Sequence, residues 1–340
     1  MTKGAGRANT AGWEEYALLD AGGDLDAGGD LDASGVRRPG IEAGDGERLE
    51  RWGPYVVRRP DPLASRWARD RSYKWDDPDA WCRGDAGQGV WDLRAGLPAK
   101  WTISRGRLSF KVGPSGQKQM GLFPEQAPNW DWIEQRIRSH GSCVEVLNLF
   151  AYTGGATLAA AASGAAVCHV DASRSALLAA KDNMSLSNLS SSPARFIADD
   201  IPKFVAREIR RGRRYDAIIM DPPSFGRGPK GQTWEIRRDL DPLLEQCVTL
   251  LDRLPLFVMV NFHTTGLSPA DVKLLLDKHI TRAFGGRVRS RQMTLTSLSG
   301  KALPCGVTVT WEAPQGGIMR DSAVSSYRHS SLFRAQPSAV

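Results

Sequence analysis

The chain has 340 residues, 41% of them hydrophobic, and a formal net charge of +7. Its length suits one large domain or two ordinary ones. Its basic balance points to a polyanionic partner, nucleic acid first, or else to a merely soluble surface. Five scattered cysteines, none at Cys-x-x-Cys spacing, argue against a disulfide framework or a zinc site, so no metal and a reducing, cytoplasmic compartment are expected. No apolar run reaches the ~18 residues that span a bilayer, and Met1 to Thr10 lacks the apolar core of a signal peptide, so no membrane association is expected.

In chain order, residues 1–45 carry little folding information. Ala21 to Asp26 reads AGGDLD and Ala27 to Asp32 repeats it, which predicts a flexible surface segment. Asp24, Asp26, Asp30 and Asp32 also supply calcium-type oxygens, but two copies are too few for a stacked repeat. Folded character resumes with a strand at Tyr55 to Arg58. Residues 60–85 then interleave Trp67, Trp75 and Trp81 with Arg69, Arg71 and Arg83, either a base-stacking surface or a small core with its cations outside. Val90 to Leu93, Lys100 to Ser104 and Arg107 to Val112 read as short strands, and a helix follows over Asp131 to Ser139. Residues 46–140 thus form a small β-rich domain.

From Cys143 the period changes. Strands at Glu145 to Phe150, Ala166 to Val170, Ala194 to Ala198, Tyr215 to Met220 and Leu256 to Asn261 alternate with helices. The helices are expected near Ala156 and over Arg174 to Leu186, Pro202 to Arg211, Thr233 to Leu251 and Pro269 to Phe284. That alternation is the signature of a doubly wound parallel sheet in the α/β class. Arg287 to Leu295 and Gly306 to Trp311 have no helix between them and are expected to pair as a hairpin, closing residues 141–313 with an antiparallel strand. Residues 314–340 read as a tail.

Ligand sites in such sheets lie beyond the carboxyl ends of the strands. Four candidates fall there. Asn148-Leu-Phe-Ala-Tyr152-Thr153-Gly154-Gly155 opens a helix, and its glycines allow close backbone approach. It contains neither a phosphate-binding Gly-Lys-Ser/Thr nor the GxGxxG fingerprint. Asp171 suits a carboxylate accepting both hydroxyls of a ribose, or alternatively a helix cap. Of Asp199 and Asp200, one is expected to accept from an adenine amino group while the other caps the helix begun by Pro202, with Asp200 preferred for the adenine. Asp221-Pro222-Pro223-Ser224-Phe225 makes a stiff loop whose acceptors suit an exocyclic amine, with Phe225 placed to lie on a base.

The Asn148 segment, the Asp221 segment with its following Gly-Arg-Gly, and the upstream Gly121-Leu-Phe-Pro-Glu-Gln126 resemble a known family over roughly residues 46–312. It is the bacterial class I S-adenosylmethionine-dependent methyltransferase family that includes the large-subunit (23S) ribosomal RNA methyltransferases. The resemblance implies a Rossmann-like sheet of seven strands, S-adenosyl-L-methionine as cofactor and ribosomal RNA as partner. It implies cofactor contacts from Phe123, Tyr152, Thr153, Gly154, Asp171 and Asp200, with Asn148 and Asp199 as further candidates, and Asp221 and Phe225 facing the substrate. Members that methylate carbon 5 of cytosine use a cysteine after the fifth strand. Here that region reads Val260-Asn-Phe-His263-Thr-Thr265. Without that thiol the expected chemistry is direct transfer to a base nitrogen, oriented by Asp221 and the Pro222 carbonyl, with His263 taking the proton. Cys305 is the only substitute thiol and reads as structural. The amino-terminal RNA-binding module typical of some relatives is expected to be missing or replaced by the glycine and aspartate segment.

Lys203, Arg207, Arg210 and Arg211 share one helical face, and Arg213, Arg214, Arg227 and Lys230 lie near it. They are expected to hold RNA, or alternatively to form a solvated face. A protein or small-molecule methyl acceptor, and a non-catalytic RNA-binding factor of the same fold, are the competing functions. The sequence leaves the target atom and the oligomeric state open.

Overall fold

The computed structural model describes residues 12–23, 46–84, 89–116, 118–141, 143–227 and 231–314. The four repeat aspartates, Lys230 and the tail beyond residue 314 lie outside the described residues.

The amino-terminal unit is a five-stranded sheet in chain order. Its strands are β1 (Tyr16–Gly22), β2 (Glu47–Trp52), β3 (Tyr55–Pro60), β4 (Ala80–Arg83) and β5 (Val90–Leu93), antiparallel except where β3 meets β4. A hairpin of β6 (Trp101–Arg105) and β7 (Leu108–Val112) packs beside it. Strand β1 corrects the expectation of a loose segment to residue 45. Tyr16, Ala17, Leu18 and Ala21 are buried, β1 pairs along β2, and the Tyr16 hydroxyl donates to Glu50 at 2.9 Å. A run this short reads as part of the polar repeat beside it, and only its distant partner reveals it as a strand.

The tryptophans and arginines of this unit satisfy one another. Trp81 lies between the guanidinium groups of Arg58 and Arg83, at 4.1 and 4.0 Å. Its indole N–H donates to Glu47, which also accepts from Arg58 and Arg69. Trp75 is buried. The cluster is a cross-braced core and not an open stacking platform.

The second unit begins with α1 (Ala127–His140), four residues earlier than expected because Pro128 starts its first turn. Then come β8 (Glu145–Leu149), α2 (Gly155–Ala162), β9 (Ala166–Asp171), α3 (Arg174–Leu186), β10 (Ala194–Ala198), α4 (Ile201–Arg210) and β11 (Ala217–Met220). A small hairpin, β12 (Phe225–Arg227) and β13 (Thr233–Glu235), precedes α5 (Ile236–Val248). It takes the first three residues of the expected helix. The chain closes with β14 (Phe257–Phe262), α6 (Pro269–Leu276) extended by a π turn, β15 (Arg287–Thr296) and β16 (Ala302–Glu312).

The sheet order is β10-β9-β8-β11-β14-β16-β15. The first five strands are parallel, and β16 inserts antiparallel between β14 and β15. The seven strands and the antiparallel last strand are as expected. One apolar core lies on the α1–α2 face and is continuous with the amino-terminal unit through Trp13, Phe110 and Trp130; the other lies under α4, α5 and α6. Among the described residues no cluster of metal-ligand type exists, and no helix is long and apolar enough to cross a membrane.

Candidate active site

The carboxyl ends of β8 to β11 and β14, the turn before α1 and the β15–β16 end enclose a cavity of about 1350 Å³. That volume accommodates a nucleoside cofactor together with a second group.

One half is made by the loop after β8. Phe150, Tyr152 and Gly154 all adopt left-handed backbone, with φ of 54°, 48° and 91°. Strained residues concentrated in one turn mark a functional loop. The curl brings the Tyr152 N–H to the Asp171 carboxylate at 2.8 Å, and the Ser173 N–H donates to its other oxygen at 2.8 Å. Burial raises the Asp171 carboxyl above its usual range, and those backbone donors oppose the shift. Ser173 caps α3 by accepting from the Ala176 N–H, which leaves Asp171 to face the cavity. Thr153 is anchored by its hydroxyl to the Gly121 carbonyl at 2.7 Å, and Tyr152 and Phe123 pack ring against ring at 5.5 Å. Burial pushes the Tyr152 phenol up to about 12. Gly155, also on the lining, lets α2 seat against α1: a Cβ there would lie 2.4 Å from the Trp130 ring. Beneath the loop, Asn148 donates to Thr157 at 2.9 Å, and Thr157 meets His169 Nδ1 at 2.9 Å. Burial drives His169 down to about 3, so it is neutral.

The other half is organised around Asp221. Gln126 Nε2 donates to Asp221 Oδ2 at 2.9 Å, Asn129 Nδ2 donates to Gln126 Oε1 at 2.6 Å, and Arg291 donates to Asn129 Oδ1. Asn129 also reaches Asn261 at 3.0 Å and Thr308 at 2.8 Å. Each amide is thereby oriented, and the donor-to-acceptor chain runs from β15 to Asp221. Glu125 lines the same wall, with Oε2 buried and without a hydrogen-bond partner among the described residues. Burial first, and the Glu125 charge second, push the Asp221 carboxyl up to about 7, against the opposing hydrogen bond from Gln126. His263 sits at the rim, where desolvation of the ring lowers its pKa.

Most expected site residues converge here: Phe123, Asn148, Tyr152, Thr153, Gly154, Asp171, Asp200, Lys203, Asp221, Phe225, Arg227 and His263 all line the cavity. Two do not. Asp199 is drawn aside by Arg207 at 2.6 Å, and Asp200 alone both caps α4 and faces the cavity. Pro222 is buried off the lining, and Pro223 takes its place with a carbonyl already accepting from Trp234 at 2.8 Å. The basic face of α4 is also partly committed. Arg207 holds Asp199, and Arg211 holds the fully buried Glu208 at 3.0 Å, while Arg210 is exposed. Sequence reasoning missed Glu125, Asn129 and Arg291 as site residues; the Gly121 to Gln126 segment was the one available pointer.

A family model for S-adenosylmethionine-dependent methyltransferases matches residues 78–259, just over half of the chain. The chain belongs to that family. The crystal structure of a SAM-dependent methyltransferase from Agrobacterium tumefaciens superposes on this methyltransferase with a TM-score of 0.76 and 33% identity, covering 88% of this chain and 91% of that one. Ribosomal RNA large subunit methyltransferase I of Enterobacter sp. (strain 638) is 36% identical over 183 residues, 53% of this chain and 44% of its own. Ribosomal RNA large subunit methyltransferase K/L of Hahella chejuensis is 36% identical over 152 residues, 44% of this chain and 20% of its own. The chain thus spans less than half the length of these curated relatives.

The family's cofactor is S-adenosylmethionine, and the residues fit it. The curled loop, the carboxylate of Asp171 on one strand end and that of Asp200 after the next put hydrogen-bond acceptors on the wall of one cavity. The remaining space adjoins Asp221.

Proposed function

We propose that the protein transfers a methyl group from S-adenosylmethionine directly to a nitrogen of a ribosomal RNA base, in the cytoplasm. The observation that carries this reading is the placing of Asp221 and Phe225 in the same cavity as Asp171 and Asp200, so that an acceptor group and a nucleoside cofactor meet there. The cofactor supplies an already activated methyl group. The protein's part is alignment and water exclusion. Asp171 receives the ribose hydroxyls and Asp200 the adenine amino group. Asp221, held by Gln126, orients the acceptor nitrogen of a flipped-out or single-stranded base. Phe225, 58% exposed at the rim, offers its ring to the face of that base. The nitrogen would take the methyl group as the cofactor's sulfur–methyl bond breaks to leave a thioether, and would shed one proton to His263. Cys305 lines the cavity, but burial raises its thiol and Sγ contacts the Leu303 carbonyl at 3.4 Å, which supports a route without a covalent thiolate step.

The test offers labelled S-adenosylmethionine with unmodified ribosomal RNA, total protein and small-molecule extract separately. Label in RNA, with nucleoside mass spectrometry naming the atom, is the expected result. Label only in protein or metabolites overturns the RNA assignment.

A further inference from the structure

Strand β15 is the outer strand of the seven-stranded sheet, and no described strand pairs with its free side. Its register with β16 sets Arg287 opposite Glu312, Arg289 opposite Thr310 and Arg291 opposite Thr308. Strand β14 continues these three ranks as Phe257, Met259 and Asn261. Residues in register share a face of the sheet. Helix α1 covers the inner columns, with Trp132 packed on Phe257 at 4.9 Å and Asn129 bonded to Asn261 and Thr308. The outer column is three exposed arginines, of which only Arg291 reaches back to α1, at Asn129.

Arg287 and Arg289 have no ion-pair or hydrogen-bond partner among the described residues. The acidic groups nearby are engaged elsewhere: Glu312 with Arg136 at 2.5 Å, and Asp131 with Arg105 at 2.8 Å. Charged residues on an edge strand also guard against pairing with another sheet. That purpose is served by either sign and gains nothing from three like charges in line, which repel one another. Alternate residues of a strand lie ~6.8 Å apart, a spacing comparable to successive phosphates of an extended nucleic-acid strand. The column also leads somewhere. Strand β15 runs parallel to β14 and delivers Gln292 and Met293 to the cavity wall, while Arg291 heads the hydrogen-bond chain to Asp221.

We propose that Arg287, Arg289 and Arg291 form the track along which the phosphates of the substrate RNA strand run into the cavity. This rests on the RNA reading above. It moves the main phosphate contacts from α4, where Arg207 and Arg211 are bound to Asp199 and Glu208, to the edge of the sheet.

The test measures affinity for a fluorescent single-stranded oligoribonucleotide across a salt series. Wild-type protein is compared with Arg287→Ala/Arg289→Ala, with Arg287→Lys/Arg289→Lys, and with Arg210→Ala/Arg214→Ala; thermal melts confirm folding. Losing two phosphate contacts lowers the slope of log affinity against log salt by about 1.4 and weakens binding about 10- to 30-fold at ~0.1 M salt. The lysine pair keeps the slope, because a point charge suffices. A wild-type slope that survives the alanine pair but falls in the Arg210→Ala/Arg214→Ala variant overturns the track alone. Absence of any salt-dependent binding by the wild type overturns the RNA reading and the track together.

Discussion

The two halves of the cavity are held by different kinds of contact. On the cofactor side, Asp171 is fixed by N–H groups 2 and 19 residues away, and Asp200 caps a helix three residues on. On the acceptor side, the contacts that orient Asp221 join residues 95 to 179 positions apart: Gln126 to Asp221, Asn129 to Asn261 and Thr308, Arg291 to Asn129. The two carboxylates of the cofactor half are held locally, although Gly121 and Phe123 brace its loop from outside the sheet. The acceptor half exists only when the amino-terminal unit, α1 and the terminal hairpin dock on the sheet. On the proposed roles, loss of the long-range contacts around Asp221 should disturb transfer more than nucleoside binding.

Substitutions that strike one half and spare the other sharpen that contrast. Asp221→Ala should reduce single-turnover methyl transfer about 10²- to 10³-fold, the range for loss of one oriented polar group at a reaction centre, while calorimetry shows S-adenosylhomocysteine affinity unchanged. Asp171→Ala should do the reverse, weakening S-adenosylhomocysteine about 10- to 100-fold through lost charge-assisted hydrogen bonds with turnover preserved at saturating cofactor. Asn129→Ala breaks the long-range half without touching either ligand. It strands Gln126, Asn261 and Arg291, so denaturant unfolding should show a loss of about 2–3 kcal/mol, and kcat should fall more than cofactor affinity.

Two pH effects are smaller. His169 is neutral in the fold down to about 3, whereas the unfolded chain binds a proton below its ordinary value near 6.5. Its folded pKa is depressed, so its contribution to stability is complete above that value and lost as pH falls. Urea titrations should lose about 2 kcal/mol between pH 6.5 and 5, and His169→Asn should flatten that limb. Asp221 ionises near 7, so kcat/KM should rise with pH through that region as the carboxylate forms. Glu125→Gln removes a negative neighbour and should move that limb to lower pH; an unmoved limb removes Glu125 from the reaction centre.

The same contrast governs what the sequence discloses. Asp171, Asp200 and Asp221 are legible because each follows an apolar strand, and α3 is legible because Ser173 caps it and its period is helical. Strand β1 is not, because Tyr16–Gly22 adjoins a polar repeat and becomes a strand only on β2. The division between Asp199 and Asp200 is misread because the pull of Arg207 acts across a helical turn that spacing alone does not weigh. Pro222 is misread because a two-proline loop does not announce which proline faces inward. The Arg291–Asn129–Gln126 chain has no local signature, since its members become neighbours only when both units fold together.

The separation of the two halves is tested most directly by a crystal structure of the protein with S-adenosylhomocysteine bound. The account predicts ribose hydroxyls on Asp171, the adenine edge at Asp200, and the Gln126–Asp221 hydrogen bond undisturbed beside open space. A nucleoside lying over Asp221 and Gln126, with Asp171 facing solvent, would contradict it.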